Sequence, residues 1–214
     1  MDFYEDLHLQ RSKRVGIMGG TFDPIHLGHL VTAEAARSEF NLEKVIFVPS
    51  GQPPHKKMKT ISSKEFRYLM TFLATAANPY FEVSRTEIDR PGESFTIDTV
   101  RYMKNKMQPG GELFFITGAD AILEIVTWKN VNELLDVVTF IAATRPGYDL
   151  NELKSRLTKE LDNQFLKKII ALEVPAMAIS STDIRIRMKK NRSIKYLLPE
   201  SVENFIHKNN LYLP

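Results

Sequence analysis

Residues 19–29 read GGTFDPIHLGH, and the interpretation of the whole 214-residue chain starts from this stretch. The apolar run at residues 15–18 before it is typical of a buried strand, and residues 30–36 after it, LVTAEAA, are typical of a helix. A glycine pair therefore ends a strand, and two histidines lie where a helix begins. Small residues let backbone N–H groups approach an anion, and a helix N-terminus favours negative charge. Because imidazoles add further N–H donors, the stretch predicts a phosphate-binding turn.

Strand and helix patterns alternate along the rest of the chain. The sequence predicts strands at 14–18, 44–49, 81–84, 112–117, 137–144 and 168–172, and helices at 29–40, 63–77, 96–105, from 121, 131–135, 150–161, 181–190 and 200–209. Such alternation is typical of βαβ units and of a parallel sheet that carries helices on both faces. Ligands of these sheets bind beyond the carboxyl ends of the strands. Three segments directly follow predicted strands and are therefore candidates for the site, namely residues 19–29, residues 118–120 and Arg145.

Composition and charge limit the classes of function. An apolar content of 43% with 26% charged residues predicts a packed core, and the absence of cysteine excludes disulfides and thiolate metal sites. No signal peptide and no apolar run of about 20 residues is present, so we expect a cytoplasmic protein without a membrane partner. A formal charge of +3 with no basic and aromatic pattern argues against a nucleic-acid partner. Residues 1–13 are expected to be a flexible N-terminal extension, and residues 14–214 a single domain.

The common nucleotide-binding and zinc-binding motifs are absent around residues 16–29. The sequence there matches neither a Walker A loop nor a G-x-G-x-x-G fingerprint, and its two histidines do not form an H-E-x-x-H zinc motif. Instead, the stretch at 19–29 resembles the signature of the nucleotidylyltransferase superfamily, and residues 179–185, ISSTDIR, resemble its second element. Three further segments are similar to the bacterial nicotinate-nucleotide adenylyltransferase family: PPHK at 53–56, SFTIDT at 94–99, and GAD at 118–120 with Trp128 downstream. The resemblance covers residues 14–212 and implies an α/β, Rossmann-like, doubly wound parallel sheet with a helical C-terminal part.

This resemblance implies an enzyme that transfers the adenylyl group of ATP to nicotinate mononucleotide, forming deamido-NAD and pyrophosphate. It assigns catalytic roles to His26, His29 and Arg185. The residues that it assigns to ATP binding are Gly19, Gly20, Thr21, Phe22, His26, His29, Gly118, Asp120, Ile179, Ser180, Ser181 and Arg185. Asp23 is expected to act only as a turn or cap residue.

The acceptor side is predicted by the same resemblance. The residues assigned to nicotinate mononucleotide are His55, Lys56, Thr96, Trp128 and Arg145. Three of them have structural alternatives, because Thr96 starts a helix and is suited to capping, Trp128 is suited to the core, and Arg145 is suited to a turn. Mg²⁺ is expected to arrive bound to ATP, since no acidic cluster predicts a metal site in the protein.

Several alternatives remain open at this stage. The acceptor could be nicotinamide mononucleotide or phosphopantetheine, although the segments around His55, Thr96 and Trp128 argue against the latter. A non-catalytic nucleotide sensor with the same fold is an alternative of a different class. The sequence leaves homo-oligomer formation open.

Overall fold

The computed structural model of the chain describes residues 9–54, 61–147, 155, 157–158, 163–175 and 177–213. His55 and Lys56, together with most of the predicted helix at 150–161, lie outside the described residues. Within those residues, no helix combines the length and the apolar character needed to cross a membrane.

Six strands form one sheet, and all of the strand pairs are parallel. The strands are β1 (Arg14–Gly20), β2 (Lys44–Pro49), β3 (Phe81–Val83), β4 (Glu112–Gly118), β5 (Thr139–Thr144) and β6 (Ile169–Glu173). Their order in the sheet is β3-β2-β1-β4-β5-β6. This is the doubly wound Rossmann order, in which the chain reverses its direction of travel between β1 and β4. The predicted fold class is confirmed.

Helices connect the strands and complete the C-terminal part. They are α1 (Leu27–Glu39), α2 (Lys64–Thr75), α3 (Thr86–Asp89), α4 (Thr96–Lys106), α5 (Ala119–Leu123), α6 (Val131–Val137), α7 (Asn163–Leu166), α8 (Ser181–Lys189) and α9 (Glu200–Lys208), with a 3₁₀ turn at Ile125–Thr127. The predicted helical C-terminal part corresponds to α8 and α9. The short helices α3 and α7 were not predicted.

The sheet separates two apolar cores. Because side chains alternate across a strand, Ile17 and Phe115 pack into one core while their neighbours Met18 and Ile116 pack into the other. Burial on both faces explains why the strands read as continuous apolar runs rather than as alternating patterns.

The predicted N-terminal extension is packed over the part that the structure describes. Leu9 is fully buried in the core that contains Ile17. The Arg11 carbonyl accepts a hydrogen bond from the Gln108 side chain at 2.9 Å, and the Lys13 N–H donates to the Glu43 carboxylate at 2.8 Å. Residues 9–13 are therefore held against the domain, whereas the sequence predicted a flexible segment. The buried Leu9 and the two hydrogen bonds hold them, and neither produces a periodic pattern in the sequence. The domain limits at 1–13 and 14–214 stay predictions.

Candidate functional site

A cleft of about 450 Å³ opens at the carboxyl ends of β1, β4 and β5. It spans the boundary between β1 and β4, where the doubly wound topology places ligands. Its volume lies within the range usual for small-molecule sites. The predicted site residues that line it are Gly19, His26, His29, Gly118, Asp120, Arg145 and Ile179.

Other lining residues were not assigned from the sequence. Examples are Thr117 and Thr144 at the ends of β4 and β5, and Val174, Pro175 and Met177 after β6. Their positions at or shortly after the carboxyl ends of strands were the only signal that could have identified them.

The two histidines of the signature lie face to face in the wall of the cleft. Their ring centroids are 3.7 Å apart with an interplanar angle of 30°. The His26 N–H, at the N-cap of α1, donates to His29 Nδ1 at 3.2 Å, which leaves Nε2 as the protonated nitrogen of a neutral His29 ring. Gly28 permits this arrangement, since an added Cβ would lie 3.0 Å from His26 Nδ1.

Burial keeps both imidazoles neutral. Desolvation lowers the pKa of His26 from 6.5 to about 4, and desolvation together with the nearby His26 lowers the pKa of His29 to about 3. The edge-to-face contact of His29 with Phe22, at 5.1 Å between centroids, adds to the apolar surroundings. His26 Nδ1 is buried without a hydrogen-bond partner among the described residues. The pair can therefore offer N–H donors to an anion, and an anion in turn favours the protonated form.

The second motif holds the backbone of the first. Arg185 Nη1 on α8 donates to the Asp23 carbonyl at 2.6 Å, and Ser181 Oγ donates to the Pro24 carbonyl at 2.8 Å. Ser180 caps α8 by accepting the Asp183 N–H at 3.1 Å. The structure thus brings the two predicted motifs together, although Ser180, Ser181 and Arg185 do not line the cleft itself.

The carboxylate of Asp23 has a larger structural role than a local turn. Asp23 is only 3% exposed, and its carboxylate accepts hydrogen bonds from the Tyr212 hydroxyl at 2.6 Å and the Ser62 N–H at 3.3 Å. The Leu27 N–H of α1 donates to the Leu197 carbonyl at 3.0 Å. The C-terminal part therefore holds the signature turn at two further points.

The remaining signature residues lie behind the cleft. Phe22 is buried with a φ of 48°, and an added Cβ on Gly20 would come within 2.9 Å of its ring. Gly20, Thr21 and Phe22 do not line the cleft, and Phe22 acts on the site through its contact with His29.

The predicted acceptor residues do not all lie together. Trp128 is half-buried, with ring edges against Phe115 at 5.8 Å and Phe140 at 6.0 Å, and Thr96 is the first residue of α4 after the N-cap Phe95. Neither lines the cleft, whereas the exposed Arg145 lines it, as does Asp120, a residue predicted for ATP. The structural alternative for Thr96, a capping role, is not realised, because Phe95 is the N-cap of α4.

The loop that follows β2 is tied to the segment that precedes α4. Ser94 Oγ accepts the N–H groups of Gly51 at 3.0 Å and Gln52 at 3.2 Å, and the Ser94 N–H donates to the Gln52 carbonyl at 2.8 Å. Residues 51–52, which directly precede the predicted segment 53–56, are therefore neighbours of Ser94, the first residue of the predicted segment 94–99.

The described residues contain no group of three His, Asp or Glu side chains that could hold a metal ion. A metal ion at this site would need other ligands, such as phosphate oxygens and water.

Comparison with known proteins finds a matching family model and relatives that share one name. The family model for cytidylyltransferase-like proteins matches residues 17–187. The curated "Probable nicotinate-nucleotide adenylyltransferase" of Moorella thermoacetica is 62% identical over 204 residues, which cover 95% of this chain and 94% of that protein. Its counterpart of the same name from Thermoanaerobacter sp. is 57% identical, over 95% of this chain and 96% of that protein.

A solved structure has the same fold. The Plasmodium falciparum nicotinic acid mononucleotide adenylyltransferase complexed with NaAD superposes with a TM-score of 0.72 at 20% sequence identity, over 94% of this chain and 97% of that one. The chain therefore belongs to the cytidylyltransferase-like family and, within it, to the nicotinate-nucleotide adenylyltransferases.

Proposed function

We propose that this protein transfers the adenylyl group of ATP to nicotinate mononucleotide, producing deamido-NAD and pyrophosphate. The observation that carries the proposal is the pair of neutral, stacked histidines in a cleft at the switch point of the sheet. Membership of the nicotinate-nucleotide adenylyltransferases supports the choice of substrates.

The chemistry suits the groups that are present. The attacking oxygen belongs to a phosphate that is already ionised, so that no general base is required. The enzyme must bring two polyanions together and stabilise the charge that develops on the α-phosphate and on the departing pyrophosphate. Neutral imidazole N–H groups that already lie in a desolvated wall provide such stabilisation without reorganisation.

We propose a role for each of the following residues, and its position supports that role. His26 and His29 donate to the ATP phosphates, and Gly28, which has no side chain, leaves room for the phosphates next to His26. Asp120, at the start of α5, is placed to meet a ribose hydroxyl. Arg185 contributes positive charge close to the turn while it holds the Asp23 carbonyl.

A divalent metal ion accompanies ATP in nucleotidyltransfer, and we propose Mg²⁺ for this protein. It enters as part of the substrate, because the described residues offer no ligand set of their own. Hard cations of this kind keep phosphate and water ligands in preference to a complete protein cage. We also propose that the reaction takes place in the cytoplasm.

For the acceptor we propose His55, Lys56, Thr96, Trp128 and Arg145 as contacts with nicotinate mononucleotide. The hydrogen bonds between Ser94 and residues 51–52 support this grouping, because residues 51–52 precede the predicted acceptor residues His55 and Lys56 in the sequence and Ser94 precedes α4. Arg145 lines the same cleft as Asp120, so its position is equally compatible with contact to ATP.

The test is pyrophosphate release from ATP and Mg²⁺, with nicotinate mononucleotide and nicotinamide mononucleotide in parallel reactions. His29→Ala is the activity control, and we expect its kcat to be about 10²–10³-fold lower, the range for loss of one preorganised donor. Release with the nicotinate form that is lost in the variant supports the proposal.

Two other results of this assay would change the proposed function. Equal efficiency with nicotinamide mononucleotide would keep the reaction and refute the acceptor assignment. ATP binding with no release from either acceptor would favour the nucleotide sensor or a different acceptor.

A further inference from the structure

Arg67 on α2 is the largest fully buried side chain of the described residues, and it lies outside the cleft. Its guanidinium donates three hydrogen bonds to backbone carbonyls of three separate segments. Nη1 donates to Thr21 at 2.8 Å, Nη2 donates to Gly51 at 3.1 Å, and Nε donates to Ser62 at 3.1 Å.

Burial of the charged guanidinium of Arg67 carries a desolvation cost, which its hydrogen bonds offset in part. Desolvation lowers the pKa of Arg67, and the neighbouring charge of Asp23 opposes that effect. All three hydrogen-bond acceptors are neutral carbonyls, so within the described part of the chain no direct ion pair accounts for burying the cation. The planar guanidinium fork, which lysine lacks, can satisfy three acceptors in fixed directions.

The three carbonyls belong to the segments that carry the predicted contacts to the two substrates. Thr21 is part of the signature turn that leads to His26 and His29. Gly51 and Ser62 lie near the two ends of the segment between β2 and α2, which contains two of the predicted acceptor residues, His55 and Lys56, in its sequence. The buried side chain of Arg67 thus joins the signature turn, predicted to bind ATP, to Gly51 and Ser62, which flank the predicted acceptor residues in the sequence.

We propose that Arg67 is a positioning residue that sets the placement of Gly51 and Ser62, which flank the predicted acceptor residues in the sequence, relative to the signature turn. This inference rests on the proposed function for the role of the loop. Transfer requires the acceptor phosphate to lie in line with the α-phosphate, and a displacement of about 1 Å can cost about 10²-fold in rate. Loss of the guanidinium fork should therefore reduce kcat more than it reduces the affinity for either substrate.

The test compares Arg67→Lys, which keeps the charge and loses the fork, with Thr71→Val. Thr71 is a matched control because it is equally buried on the same helix, and its hydroxyl donates only to the Arg67 carbonyl, at 2.8 Å. For Arg67→Lys we expect kcat to fall about 10–100-fold while the Kd for ATP changes by less than about threefold. For Thr71→Val we expect a lower Tm and an unchanged kcat.

A readout independent of activity is hydrogen–deuterium exchange of peptides that cover residues 19–24, 50–54 and 61–67. Arg67→Lys should increase exchange in these three segments together and leave peptides of β4 and β5 unchanged. An unchanged kcat with exchange that rises evenly through the protein would overturn the proposal, since Arg67 would then contribute to stability alone.

The two proposals can fail separately. If the wild-type protein does not use nicotinate mononucleotide, the proposed function fails. The exchange experiment still decides whether Arg67 holds the three segments together.

Discussion

The neutral histidine pair predicts a pH dependence of stability that can be calculated. In the folded protein, the pKa values are about 4 for His26 and about 3 for His29, against 6.5 for a histidine in the unfolded chain. Below pH 6.5 the unfolded state therefore binds protons that the folded state does not. The free energy of unfolding falls as the pH falls from 6.5 towards 4, and the contribution of these histidines is fully present above pH 6.5.

The size of this pH-dependent loss in the free energy of unfolding depends little on the folded-state pKa values of the two histidines. At pH 5.5 protonation stabilises each unfolded histidine by about 1.4 kcal/mol, and both folded-state pKa values lie more than a unit lower, so the folded state gains almost nothing. Between pH 7.5 and pH 5.5 the pair should thus cost about 2.7 kcal/mol of stability.

The assay is urea unfolding without ATP in a phosphate-free buffer at both pH values. The wild type, His26→Asn, His29→Asn and the double variant are compared, so that the contributions of carboxylates cancel in the difference. Each single substitution should remove about 1.4 kcal/mol of the pH-dependent loss. His207→Asn, on the exposed side of α9, should leave it unchanged. If the double variant and the wild type lose the same free energy between the two pH values, the pair is not buried and neutral as described.

Two further substitutions test the structural links around the site. Tyr212→Phe removes the hydroxyl that donates to Asp23 at 2.6 Å. It should lower the free energy of unfolding by about 1.5–3 kcal/mol, the range for hydrogen bonds to charged groups. A free energy of urea unfolding within about 0.5 kcal/mol of the wild-type value would contradict this. Gly51→Ala would place a Cβ 2.0 Å from the Glu87 carbonyl oxygen, so a loss of more than about 3 kcal/mol is expected in the same assay. Gly118→Ala is the matched control, because its added Cβ meets nothing within 4 Å; an equal loss in both variants would refute the steric explanation.

The fold was largely predictable because strong local patterns coincide with the elements. The six strands were placed within about two residues, and β1 continues through Gly19 and Gly20 because these residues pair with Val48 and Pro49 of β2. The helices α3 and α7 have four residues each, too few to show a helical period.

The site was predictable only where its residues are neighbours in the sequence or belong to a recognisable motif. Arg67 bonds Thr21, 46 residues away, and Tyr212 bonds Asp23, 189 residues away. No local pattern encodes such contacts, and a charged residue on an amphipathic helix is normally interpreted as part of the exposed face. The burial of Arg67 therefore could not be predicted from the sequence.

The contacts of the signature turn explain why its two motifs occur together. The carbonyls of Thr21, Asp23 and Pro24 are each bonded by a side chain from elsewhere, namely Arg67, Arg185 and Ser181 respectively. The turn is thus held by α2 and α8 and not only by its own hydrogen bonds. Arg185 lies 162 residues beyond Asp23, and Ser181 lies 157 residues beyond Pro24. Since a preorganised anion site needs its donors fixed before the substrate arrives, the second motif is required for the geometry of the first even where its side chains do not reach the cleft.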